Sequence, residues 1–250
     1  MRKLNIIRVA AVAATLAMVT AACGGSSSST DTANAAGESL PTKIVIGYQN
    51  IPNGDLIVKH DGLLEAAFGD KVSIEWKLFD SGGSVNEAIL AAWQQGDIDA
   101  AYVWNPVLAK LAADGGTVLI TSEDLSKKGK TTYDLAVVTN SFASKYPAAV
   151  QVWLDQQNAA VKKIRNDAAG AAKAIAAELS ITETEAADQL SQLIFLDASE
   201  QIGADYLGGG LAKNLYAAAL FNKTLGKIDA VKEESAYQGA IISTFTKAAK

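Results

Sequence analysis

Histidine and cysteine are nearly absent from this 250-residue chain, which has one of each. A soft-metal site draws on several such ligands, so zinc chemistry is not expected, and neither a metal nor a cofactor is called for. A single cysteine permits no internal disulfide, so stability has to come from a packed core. The one histidine, His60, has no G-x-S-x-G elbow to serve and reads as a solvated helix residue; no catalytic group is assigned. Positive charge is also scarce. The formal net charge is −5, and three of the 22 basic residues (Arg2, Lys3, Arg8) fall in the first 22 positions, leaving 19 against 27 acidic residues and a net near −8 for the rest. Such a body has no basic cluster for nucleic acid. Beyond the front of the chain, no run is long and apolar enough to span a bilayer. Two glycine clusters fail as nucleotide signatures. Gly129-Lys130-Thr131 would need glycine at position 124, which is Asp124, and Gly208-Gly209-Gly210 follows no strand.

What is present begins with an export signal. Arg2, Lys3 and Arg8 precede an alanine-rich apolar core from Val9 to Val19, and T-A-A-C ends the segment at Cys23. Residues 1–22 are therefore expected to be a signal peptide. Cys23 looks like the lipidated cysteine of a lipobox, although Thr20 stands where Leu is usual. A diacylglyceryl group there makes membrane attachment stable, since one acyl chain alone binds reversibly. Gly24–Gly37 has no apolar residue larger than alanine and reads as a flexible tether, so 23–40 is assigned to anchor and tether. Residues 41–250 remain for the globular body, enough for one large domain.

That body alternates strands with helices and then turns helical. Lys43–Gln49 is an apolar, β-branched run expected to be buried on both faces. Asn53 and Asp55 start a helix reaching about Phe68, and Val72–Phe79 is a second strand. Ser84 and Glu87 have capping-box spacing ahead of a helix that Gly96 stops. Ile98–Trp104, Thr117–Thr121 and Asp134–Thr139 read as further strands, with a helix over Leu108–Ala113. From Pro147 onward come a long amphipathic helix, the alanine-rich Ala168–Leu179, a capped helix from Thr182, Leu211–Leu225, and Glu233–Lys250. The expected class is an α/β body with mostly parallel strands and a helical C-terminal portion.

Two constellations carry chemistry. The loop Asp80–Ser84, which includes Ser81 and Gly82, stacks small residues before a helix, where backbone N–H groups suit a sulfonate, carboxylate or phosphate; it is equally an ordinary strand-to-helix turn. Tyr102 and Trp104 end one extended run on a common face, and Asp134 begins another. An indole face with a carboxylate suits an ammonium, although core packing for Trp104 and a strand-start cap for Asp134 fit the same residues.

Four segments resemble the taurine- and sulfonate-binding lipoproteins of ABC importers. They are A-A-W-Q-Q-G-D-I-D-A-A-Y-V-W-N-P (Ala91–Pro106), I-G-Y-Q (Ile46–Gln49), F-D-S-G (Phe79–Gly82) and T-Y-D-L-A-V-V (Thr132–Val138). The resemblance implies a lobe of the type II periplasmic-binding-protein kind and a non-catalytic role. It implies Gln49 and Ser81 near a ligand, with Trp104 and Asp134 at its amine end. Implied partners are a small zwitterionic or anionic solute, the importer's permease subunits, and a membrane through the anchor, outside the cytoplasm.

The pattern also breaks. In two-lobed relatives, whose cleft closes around the ligand, roughly ninety residues separate the F-D-S-G segment from the A-W-Q-x-G-D-I-D segment. Here Phe79 and Ala91 are only twelve apart. An internal segment is therefore expected to be absent, leaving the second lobe incomplete, Ile98–Trp104 paired into the remaining sheet, and one wall of the cleft missing. Two other outcomes follow from the same residues: a lipoprotein that has lost ligand capture and serves as a surface or interaction protein, or an enzyme resembling the thiamine-pyrimidine synthases built on this scaffold.

Overall fold

Ile44, Val45, Ile46 and Tyr48 favour extended backbone, as do Ile74 and Trp76, because branched and aromatic side chains pack well on a pleated surface. In the computed structural model, which describes residues 32–33, 39–79 and 82–250, these two runs form the central sheet. The expected signal peptide, Cys23, most of the tether, Asp80 and Ser81 lie outside the described residues. Thr32–Ala33 (β1) and Ser39–Leu40 (β2) make a short antiparallel pair. Lys43–Tyr48 (β3) and Ser73–Leu78 (β4) run parallel, in register from Lys43 opposite Ser73 to Tyr48 opposite Leu78. The crossover between them carries Gly54–His60 (α1), Leu63–Phe68 (α2) and a 3-10 turn at Gly69–Lys71. Gly62, at φ 62°, breaks the single helix expected through Phe68 into two.

After β4 the chain is helical wherever it is regular. Gly83–Gln95 (α3) is capped by Gly82 and not by Ser84, and Gly96 stops it in the left-handed conformation. Val107–Ala113 (α4), Ser122–Ser126 (α5) and Asn140–Lys145 (α6) are short. Pro147–Asn166 (α7) opens on its proline, which has no N–H to leave unpaired. Ala168–Leu179 (α8) follows, and then Glu183–Ser191 (α9), whose Thr182–Glu185 capping box is fully formed. Ala198–Gln201 (α10) and Gly210–Thr224 (α11) come next. The helix expected over Glu233–Lys250 is two pieces, Glu234–Gly239 (α12) and Thr244–Ala248 (α13).

The core lies on one side of the sheet. Leu56, Ile57 and Val58 of α1 are fully buried, as are Leu64 and Ile175. They meet Ala149, Ala160 and Ile164 of α7, Ala171 and Ala172 of α8, and Ala186 and Leu190 of α9. Small residues along α8 let α1 and α9 approach closely. Ile44, Ile46, Ile74 and Trp76 pack onto this cluster from the sheet. Lys59 ties the layers further: its ammonium lies 5.2 Å from the centre of the Tyr48 ring and pairs with Glu178 of α8. The helical tail is anchored by buried Asn158, which donates to the Lys250 carbonyl at 2.7 Å and accepts from the Ala198 N–H at 2.9 Å.

Two strand expectations are corrected. β3 is not buried on both faces: burial alternates along it, and Val45 is half exposed, because the helices cover one face only. Ile98–Trp104, Thr117–Thr121 and Asp134–Thr139 join no ladder among the described residues. Their sequences have strand character, but a strand forms only against a neighbour that takes its N–H and C=O groups. Most of their apolar side chains stay in solvent accordingly, with Leu119 86% and Val137 96% exposed.

Replacing Ile175 with Ala, at a fully buried point where α8 meets the core, should lower unfolding free energy by about 2–5 kcal/mol, the cost of lost burial plus a cavity. Urea unfolding followed by circular dichroism checks this, and a loss below about 1 kcal/mol would show a yielding core.

Candidate functional site

Parallel strands bring both of their carboxyl ends to one edge, and in open α/β sheets that edge is where ligands bind. Among the described residues it is formed by residues 49–53 after β3 and by Phe79 and Gly82 after β4. The Phe79 N–H donates to the Tyr48 carbonyl at 2.9 Å, carrying the ladder one step past Leu78. Its ring lies over Gly47, where a Cβ would come within 3.1 Å of it, so a larger residue there would push the ring aside by a few tenths of an ångström. Gly82 takes φ 76° to turn from strand into α3, and a Cβ built on it would sit 3.6 Å from the Trp104 ring. The indole therefore lies near Gly82, the described residue at the start of α3 in the expected anion seat. Trp104 stays 43% exposed. Its backbone is held because its carbonyl accepts from the Leu108 N–H and because neighbouring Asn105, itself buried, donates to the Gln192 side chain at 3.0 Å.

The loop after β3 holds the second half of the site. Asn53 caps α1 by accepting the Asp55 N–H at 3.1 Å, and the same side chain donates through Nδ2 to Asp134 Oδ2 at 3.1 Å. One amide thus fastens Asp134, which lies in an unladdered segment, to the end of a core helix. Tyr133 steadies that segment from the other side. Its hydroxyl donates to the Asp205 carbonyl at 3.1 Å and accepts from Asn214 at 3.2 Å.

Of the six residues expected around a ligand, Gly82 and Trp104 are neighbours, and Asp134 is bonded to the loop that begins at Gln49. Gln49 is exposed at the strand end, with its carbonyl accepting the Ile51 N–H at 2.9 Å. Tyr102 is 62% exposed and its hydroxyl is 3.0 Å from Ser122 Oγ, so its polar end is engaged with α5. Ser81 lies outside the described residues. A hollow of about 200 Å³ between α7, α10 and α13 is lined by none of these residues.

Sequence reasoning took Asn53 and Asp55 for a helix start and no more. It missed Gln157 altogether, because the contacts that give these residues meaning span 81 and 102 positions. The Asp55 carboxylate accepts from Gln157 Nε2 of α7 at 2.6 Å. Burial, with the Asp134 charge adding to it, pushes the Asp55 carboxyl from 3.8 up to about 6, against the pull of the Gln157 hydrogen bond. A carboxyl raised in this way binds its proton more tightly folded than unfolded. The stability it gives is complete below pH 3.8 and is lost as pH rises through 6.

Asp55→Asn should therefore stabilise the fold at pH 7.5 by about 1–3 kcal/mol and leave it unchanged below pH 4. Denaturant unfolding across pH 3.5–8 measures this, and parallel stability curves for the two proteins would contradict it.

Known proteins supply a frame for this geometry. Over 66 residues the chain is 48% identical to the taurine-binding periplasmic protein of Escherichia coli (strain K12), a match spanning 26% of this chain and 20% of that protein. The chain thus matches about a fifth of that relative's length. Its structure resembles the alkanesulfonate-binding protein SsuA from Xanthomonas axonopodis pv. citri bound to MOPS, with a TM-score of 0.57 over 79% of this chain and 98% of that one. It also resembles the periplasmic aliphatic sulphonate binding protein SsuA from Escherichia coli, with a TM-score of 0.63 over 83% of this chain and 100% of that one. Both are 15% identical to it, a level at which the likeness establishes the periplasmic-binding-protein fold alone. Residues 48–190, more than half the chain, match the substrate-binding domain of ABC-type glycine betaine transport systems, and the chain belongs to that family.

Proposed function

We propose that this chain is the extracytoplasmic solute-binding component of an ABC importer, non-catalytic, that captures a small sulfonate or aminosulfonate such as taurine. Two observations carry the reading: the Trp104 ring lies near Gly82, which follows β4, and Asn53, in the loop after β3, holds the Asp134 carboxylate. The loop's N–H groups suit the anionic end of a zwitterion, and the indole and carboxylate suit its ammonium. Gln49, Ser81, Gly82, Tyr102, Trp104 and Asp134 would line this seat. Family membership and the strong identity to a taurine-binding protein over a quarter of the chain support the same direction. In the same reading, residues 1–22 direct export, Cys23 carries the lipid anchor, residues 24–40 form the tether, and permease subunits receive the loaded domain.

A second reading is favoured by the openness of this edge. Phe79, Tyr102 and Trp104 all keep large exposed areas, and three extended segments have no ladder partner among the described residues. A chain of this form could have lost capture and kept a surface or interaction role. Calorimetric titration with taurine separates the two readings. The importer component should bind saturably, with Trp104→Ala and Asp134→Ala each weakening affinity about tenfold or more, as expected for loss of a cation–π or charge-assisted contact. Absence of heat from a folded, cooperatively melting sample would select the second reading, and undiminished affinity in both variants would overturn the site assignment.

A further inference from the structure

Three buried side-chain oxygens have no hydrogen-bond donor among the described residues: Asn86 Oδ1, Asn105 Oδ1 and Gln189 Oε1. Two of them belong to residues that flank the approach of Trp104 to Gly82. Asn105 follows Trp104 directly, and Asn86 stands one turn beyond Gly82, its N–H donating to the Gly82 carbonyl at 3.1 Å. Helical side chains lean toward the helix N-terminus, so the Asn86 amide lies back over the turn that Gly82 begins. That turn is the one beside the Trp104 ring, 3.6 Å from a Cβ built on Gly82. Val85 and Glu87 on either side are exposed, whereas Asn86 is only 3% exposed. Its cover is the segment entering α4. This helix packs alongside α3, with Trp104 at its start near Gly82 and Gly116 past its end near Trp93.

A buried carbonyl oxygen without a donor costs free energy, and such a group calls for a donor from outside the chain. The half-exposed Trp104 ring beside this turn offers the aromatic face that a cation favours. We propose that Asn86 sets the specificity of the solute site: its side-chain oxygen accepts an N–H from the solute's ammonium beside the Trp104 indole. This rests on the solute-binding reading above and deepens it, because it separates a primary ammonium from a quaternary one. An indole face and a carboxylate respond to charge and serve both kinds. Only a hydrogen-bond acceptor tells N–H from N–CH3. A site built to hydrogen-bond its solute rejects an analogue without the donor more strongly than an apolar pocket rejects an added methyl group. Taurine carries the donor, and glycine betaine does not.

The test is calorimetric titration of the purified full chain with taurine and with N,N,N-trimethyltaurine, which keeps both charges and has no N–H. Asn86→Leu is close to isosteric. It should lower the affinity for taurine about tenfold more than it lowers that for the trimethyl compound, the size of one hydrogen bond to a charged group. The bulk of the methyl groups meets both proteins alike and cancels in this comparison. A second readout needs no solute. Leucine removes an unpaired buried polar atom, so Asn86→Leu should unfold at the same denaturant concentration as the native chain or a higher one. An amide with a purely structural role would lower that midpoint. Taurine binding with equal losses for the two compounds overturns this inference and leaves solute capture standing. A clearly lowered midpoint overturns it as well. Failure of the native chain to bind either compound overturns both readings.

Discussion

Burial of α1 between α7 and α8 is the constraint on which the rest of this molecule depends. Leu56, Ile57 and Val58 are completely withdrawn from solvent, each contributing about 1.5–3 kcal/mol of transfer free energy. That packing fixes the direction in which the chain leaves β3 and sets Asn53 at the end of a rigid element. Everything at the candidate site is referred to that point. Asp134 is held by Asn53, and Asp55 is held by Gln157 from the helix α1 packs against. A loop alone would give these polar groups no fixed geometry. A helix nailed into the core does.

The sheet is small, and its smallness has consequences. Two parallel strands give a carboxyl edge from which two loops leave, with Phe79 still bonded to Tyr48 where they part. They do not give a second layer. The three extended segments after α3 carry apolar side chains that would suit a larger sheet, yet they run past the lobe with those side chains in water. Short ties compensate: Asn105 to Gln192, Tyr133 between Asp205 and Asn214, Tyr102 to Ser122. Each fixes one point on a segment that no ladder fixes along its length. Capture in two-lobed relatives depends on closure that excludes water. Here the edge is open among the described residues, so in the proposed reading charge and aromatic contact would do more of the work.

Several local signals in the sequence translated directly into structure, although Ser84 does not cap α3 and Gly62 divides the helix expected through Phe68. Ala168–Leu179 has its expected bounds, the Thr182–Glu185 box forms, Pro147 opens α7, and Gly96 ends α3. The two ladder-forming strands were legible, Lys43–Gln49 from its run of branched residues and Val72–Phe79 from alternation, although the one-sided burial of the first was not. Ile98–Trp104 was misread because a strand is a property of two segments, and its sequence says nothing about whether a neighbour exists. The candidate site divides in the same way. Trp104 and Gly82 could be named from motif and turn chemistry, but their contact could not. Asn53 and Asp55 looked like an ordinary helix start because their partners are far along the chain.

Hydrogen exchange of the native protein tests the central claim, that one α1-centred lobe holds an otherwise unladdered site segment. Amides of β3, α1, α7 and α8 should be protected to the limit set by global unfolding. Those of residues 98–104, 117–121 and 134–139 should exchange far faster, and the amides around Asp134 should slow when a zwitterionic solute is added. Uniformly high protection across the three segments, with no change on adding solute, would mean that they are built into a sheet and that this account of the site is wrong.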